Sequence, residues 1–280
     1  MAALVFGLAG LLIAMPHPEW WSFDPNAVRV FDFGMRYGGA MHILFGAAAV
    51  FVFAWVTLGP RRTLIFFVVS TGLSLTSELI GTGTGWPFGN YAYTTFLGYK
   101  VLGRVPFTIP LSWFYLGLVA YILGSLLASR LPGPRTAWSL VFGVWLLTAW
   151  DLVLDPAMAA HGLPVQFWVW HETGTYFGMP ILNLAGWSLT GLLYMSISRL
   201  LWGSDIDIAR VAPTTIFPYI VYCANLAFAI VLSLRAGLWP PVVLALLAGF
   251  VPARIAVVSI RRRVAFPPLA QQPWRTSPTR

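Results

Sequence analysis

Apolar residues run along this chain in long blocks, broken by shorter stretches that are polar or rich in Gly and Pro. A helix needs roughly 20 mostly apolar residues to cross the hydrocarbon core of a bilayer. Blocks near 38–58, 63–81, 109–128, 136–158, 180–202, 212–233 and 238–258, with a shorter one near 1–15, therefore predict eight transmembrane helices. The expected fold is all-α, a polytopic membrane helix bundle. Residues 1–264 are expected to form one integral domain, followed by a Pro-rich cytoplasmic tail from 265 that is expected to be disordered. The first block lacks the basic start of a signal peptide, and Ala14-Met15-Pro16 is a poor cleavage site, so it counts as a helix.

Polar positions inside the blocks fall on faces. In the third block Ser70, Ser74, Ser77 and Glu78 follow i, i+4, i+7, i+8, which turns Glu78 toward the bundle. In the fifth, Thr148, Asp151 and Asp155 follow i, i+3, i+7, placing two carboxylates one turn apart. Two like charges that close in a low dielectric cannot easily both ionise. Asn183, Trp187, Thr190 or Gly191, and Tyr194 share a face of the sixth block, and Tyr222 and Asn225 share one of the seventh. Such polar residues commonly join helices.

The connections are unequal. Gly59-Pro60-Arg61-Arg62 and Leu131-Pro132-Gly133-Pro134-Arg135 are short turns. The links at 16–37, 82–108 and 159–179 are longer and carry many aromatics, among them Trp86, Phe88, Tyr91, Tyr93, Trp168 and Trp170. A Trp/Tyr belt at the membrane surface accounts for part of this. Pocket-lining segments account for the rest, because irregular backbone at membrane depth must be buried in protein.

Composition agrees with the membrane assignment: 58% of residues are hydrophobic, 9% are charged, and mean hydropathy is +0.76. A soluble domain needs a more charged surface. Twelve of the 17 basic residues lie at alternate helix ends, including Arg61, Arg62, Arg130, Arg135 and Arg199, which predicts a multi-pass protein of the cell membrane with both termini cytoplasmic. The net charge of +8 is thus mainly a topology signal. Arg261-Arg262-Arg263 is expected to meet anionic membrane lipid, and no nucleic-acid partner is expected. A single cysteine, Cys223, excludes a disulfide framework.

Seven of the nine carboxylates (Glu19, Asp24, Asp32, Glu78, Asp151, Asp155 and Glu172) fall toward one predicted side. Acids inside a membrane are costly and default to functional candidates. Glu78, Asp151 and Asp155 meet that criterion, whereas Glu19, Asp24 and Asp32 look like loop charges; a structural role for the aspartates, through pairing with Arg104, is the competing expectation. His17, His42, His161 and His171 show no HxxxH or HxxHH pattern, so a multi-histidine di-iron site cannot be built. His171-Glu172 fits acid–base or substrate contact better than metal binding, and no metal is expected. The glycines of Gly81-Thr82-Gly83-Thr84-Gly85 lack the lysine of a phosphate loop and suit tight turns against a bulky ligand.

Five segments then combine: Ser77-Glu78-Leu79-Ile80-Gly81 running into Gly85-Trp86-Pro87-Phe88-Gly89-Asn90-Tyr91-Ala92-Tyr93, Pro110-Leu111-Ser112-Trp113, Asp151-Leu152-Val153-Leu154-Asp155-Pro156, and Asn183-Leu184-Ala185-Gly186-Trp187. Together, over about residues 30–202, they resemble the membrane carotenoid hydratases, of the gamma-carotene 1'-hydratase and bisanhydrobacterioruberin hydratase type. The resemblance implies cofactor-free addition of water across the C1–C2 double bond of an acyclic carotenoid end group, giving a tertiary alcohol. It implies a carotenoid substrate and, as partners, other enzymes of the carotenoid pathway.

The chemistry fits the residues. Markovnikov hydration needs a proton at C2 and generates a tertiary cation at C1. Asp151 or Asp155 is the expected acid, with its partner as water base and Glu78 as a further candidate for either role. Trp86, Tyr91 and Trp113 are expected to offer cation–π stabilisation of roughly 0.5–2 kcal/mol each. Phe88, Asn90, Tyr93, His171, Glu172, Asn183 and Trp187 complete the expected substrate contacts. A membrane lycopene cyclase also begins by protonating a polyene; Ser74, Ser77 and Asn90 near Glu78 argue for water instead. A proton-coupled transporter would need polar residues across the whole bundle, and a structural carotenoid-binding protein would leave the acids unexplained.

Overall fold

The computed structural model describes residues 2–265. The expected tail and the side chains of Arg261, Arg262 and Arg263 lie outside what it describes. Seven helices are long and apolar enough to cross a membrane among the described residues. They are α2 (Pro25–Leu58), α3 (Pro60–Thr84), α4 (Thr108–Ala128), α5 (Arg135–Met158), α6 (Ile181–Trp202), α8 (Ile216–Arg235) and the continuous run Trp239–Ile260, which begins as α9 (Trp239–Ala245), passes through a π-helical turn and continues as α10 (Val251–Ala265). A one-turn helix, α7 (Ile208–Val211), links α6 to α8. The chain is a polytopic all-α bundle, as its periodicity predicts.

Two elements differ from the hydropathy pattern. The first apolar block forms a helix over Ala2–Ala14, α1 (Ala2–Ala9) extended by a π-helical turn, and 13 residues rise only about 20 Å. It therefore packs beside part of α2 instead of adding a full-length span. Helix α2 in turn starts at Pro25, not near 38, because Asp24 accepts a hydrogen bond from the Asn26 amide at 2.8 Å and Pro25 occupies the first turn. Arg29, Asp32 and Arg36 interrupt the hydropathy without interrupting the helix.

Helix α4 is the centre of the bundle. Its membrane-length window is 89% buried, against 28–50% for the other six. Small residues allow that density: a methyl group on Gly124 would lie 2.4 Å from the Gly143 backbone nitrogen, and one on Gly117 would overlap the Tyr194 hydroxyl. Helices α4 and α5 thus approach nearly backbone to backbone, a packing mode of membrane helices.

Candidate active site

Two long connections close one end of the bundle. Residues Tyr91–Tyr93 (β1) and Trp168–Trp170 (β2) pair antiparallel, with Tyr91 opposite Trp170 and Tyr93 opposite Trp168. Side chains of a strand alternate between faces, so all four rings project to one side while Ala92 is exposed on the other. That side is the interior: Tyr91, Tyr93 and Trp168 are buried. The ribbon is anchored by the Asn90 amide, which donates to Glu172 Oε1 at 2.7 Å, and by the His171 amide, which donates to the Asn90 carbonyl at 2.8 Å.

Beneath the ribbon lies Glu78, on the buried stripe Ser70, Ser74 and Glu78 of α3. Its Oε2 accepts from the Tyr91 hydroxyl and from the Tyr93 hydroxyl at 2.8 Å, and its Oε1 accepts from Trp113 Nε1 at 2.9 Å. An indole nitrogen can only donate. Burial, and then the Glu78 charge beside them, push both phenols well above the usual tyrosine range, so they too keep their protons and donate. Among the described residues, three donors and no ion-pair partner meet this carboxylate.

Asp151 and Asp155 stand one turn apart on α5, and both are buried. One amide clamps them: Asn183 Nδ2 on α6 donates to Asp155 Oδ2 at 2.6 Å and to Asp151 Oδ2 at 3.1 Å. Asp151 Oδ1 is buried without a donor. Arg104 does not join them. Among the described residues the ion pairs are His17–Glu19 and Arg199–Asp205, both away from the pair.

A cavity of about 1390 Å³, counted out to its open mouth, connects these groups. Asp155 and Glu78 both line it; Asp151 does not, and sits behind Asp155. The wall is aromatic. Trp113 and Trp187 stack with centroids 4.0 Å apart, Trp150 meets Trp187 edge-on at 5.7 Å, and Phe88 lies 6.2 Å from Trp113. Gly186 makes room for Phe88, whose ring would lie 2.5 Å from a methyl at that position. A second polar group sits on the same wall: Asn225 Oδ1 accepts from the Tyr115 hydroxyl at 2.9 Å and lies 3.4 Å from His42 Nε2.

The chain matches the family described as "Carotenoid biosynthesis protein" over residues 38–252. The chain belongs to that family. A bisanhydrobacterioruberin hydratase from Haloarcula japonica is 34% identical over 205 residues, which cover 73% of this chain and 64% of that relative. The chain thus aligns with less than two thirds of that relative's length. No solved structure matches.

The region matched to the carotenoid biosynthesis family contains both carboxylate stations, the ribbon and the aromatic wall, and leaves out α1. Of the residues singled out from sequence, Glu78, Asp155, Phe88, Tyr91, Tyr93, Trp113, Asn183 and Trp187 come together on the cavity, with Asp151 directly behind. Trp86, Asn90, His171 and Glu172 lie elsewhere: all four are exposed, and Asn90, His171 and Glu172 brace the back of the ribbon. Ser74, Ser77 and Asn90 do not line the cavity, so they give no argument for water there, and the Ser74 hydroxyl turns back to the Thr71 carbonyl at 3.4 Å. From sequence, Trp168 and Trp170 count only among the loop aromatics, His42 only as a histidine outside any metal pattern, and Trp150 is not named. A Trp adjacent to Asp151 and the alternation Trp168-Val169-Trp170 were the available signals.

Proposed function

We propose that this chain hydrates the terminal C1–C2 double bond of an acyclic carotenoid end group. The observation that carries this reading is the pairing, across one aromatic cavity, of an aspartyl pair clamped by a neutral amide with a separate carboxylate held by three donors. Asp155 faces the cavity and delivers its proton to C2; its O–H bond breaks as the C2–H bond forms, and the alkene electrons leave a tertiary cation at C1. Asp151, behind it, holds the acid in place and keeps the pair from carrying two charges. Glu78 stays an anion under its three donors and faces the cation through the cavity. Trp113 and Trp187 add ring faces, each worth about 0.5–2 kcal/mol to a desolvated cation. Water then forms the C1–O bond, and its surplus proton returns to Asp155, which restores the acid. The sum is alkene plus water to tertiary alcohol, with no redox change.

Family membership supports a carotenoid substrate, and the Haloarcula relative's name supports hydration over cyclisation. Expression in cells that accumulate lycopene, followed by mass spectrometry of the pigments, separates the two. The expected result is a pigment heavier by one water, or by two if both ends react. A new isomer of unchanged mass would establish cyclisation instead, and an unchanged pigment profile would sink both.

A further inference from the structure

Glycine inside a helix is unfavourable by about 1 kcal/mol relative to Ala, and in membrane bundles close packing usually compensates. Gly117, Gly124 and Gly186 follow that rule, since a methyl group on any of them would collide with a neighbour. Gly7, Gly10 and Gly38 do not. A methyl group on each would meet nothing within 4 Å, yet all three line the cavity that contains Asp155 and Glu78. They lie where the segment Ala2–Ala14 runs along α2, a contact fixed by Phe6 against Gly34. His42, Leu97 and the two acids line the same cavity. Gly72 on α3 is equally open, but it is exposed and away from the cavity, so lipid covers it.

We propose that the seam between Ala2–Ala14 and α2 is the subsite for the polyene chain of a carotenoid, with one end group at Asp155 and the remainder of the chain leaving between the two helices into lipid. This rests on the carotenoid reading of the site and is independent of whether the end group is hydrated. A conjugated chain is stiff and cannot fold back inside the cavity. An enzyme acting on its end therefore needs a lateral opening with an apolar, side-chain-free wall. The three glycines supply that wall, with no side chain within 4 Å of where a methyl group would stand.

The test measures total carotenoid, reacted plus unreacted, that co-purifies per mole of protein from lycopene-producing cells in mild detergent. Gly38→Leu and Gly10→Leu should each retain about tenfold less pigment than wild type, the equivalent of roughly 1.4 kcal/mol in binding. Gly38→Ala should fall in between, and Gly72→Leu should match wild type. Each protein must elute as the wild type does; if Gly38→Leu aggregates, Gly10→Leu and Gly7→Leu carry the test. Wild-type pigment loads in the leucine variants, an equal loss in Gly72→Leu, or a wild type without pigment would each overturn the proposal. Selective loss in the seam variants, alongside a wild type that leaves lycopene unhydrated, would retain the subsite and remove the hydratase reading.

Discussion

Asp155→Asn is expected to lower the hydration rate by about 10²–10⁴-fold, the range in which a positioned general acid contributes, while the protein still inserts and elutes as wild type. Asparagine preserves the shape and can still meet the Asn183 amide through its oxygen, so the clamp that holds α5 to α6 is largely kept. What disappears is the one cavity-facing group on α5 with a proton to give. Asp151→Asn should cost less, because Asp151 lies behind Asp155 and does not reach the cavity. Rates measured on membranes supplied with lycopene, normalised to protein amount, check both. Equal losses in the two variants would mean that the pair acts as one unit; full activity in Asp155→Asn would remove it from the chemistry.

Glu78→Gln is expected to cost about 10²–10³-fold, the scale of removing a preorganised electrostatic partner from a water-excluded site. The substitution removes the negative charge facing the developing cation, and it turns one acceptor oxygen into an amide that donates toward the Tyr91 and Tyr93 hydroxyls. Substrate retention separates this role from binding. The variant should co-purify with carotenoid at near wild-type levels yet convert it slowly, because the charge matters only once a cation forms. Loss of pigment in proportion to loss of rate would make Glu78 a binding residue.

Both variants probe groups whose facing was legible in the sequence, because helical periodicity fixes direction. Spacing alone turned Glu78 inward on α3, set Asp151 and Asp155 one turn apart on α5, and put Asn183 and Trp187 on the inner face of α6. Loops carry no such period. The pairing of β1 with β2 joins segments of three residues each, separated by more than 70 positions, too short for alternation to announce a strand. Tyr91 and Tyr93 were therefore grouped with Trp86, Asn90, His171 and Glu172, although the ribbon points the first two at Glu78 and leaves the others outside. Helix α1 forms where hydropathy places it but is too short to span, because hydropathy measures how apolar a segment is, and a half-length helix lining a cavity is as apolar as a spanning one. His42 belongs to no metal-binding pattern in the sequence; α2, α4 and α8 bring it to the cavity wall beside Asn225 and Tyr115.

Protonation at C2 and capture of water at C1 leave separate labels on one end group. Incubating the purified protein with lycopene in D₂O, and locating the label by mass spectrometry and NMR, should give a tertiary alcohol at C1 with one carbon-bound deuterium at C2, formed by wild type and nearly absent with Asp155→Asn. A deuterated cyclic isomer without added oxygen, or an alcohol with no deuterium at C2, would rule out this hydration.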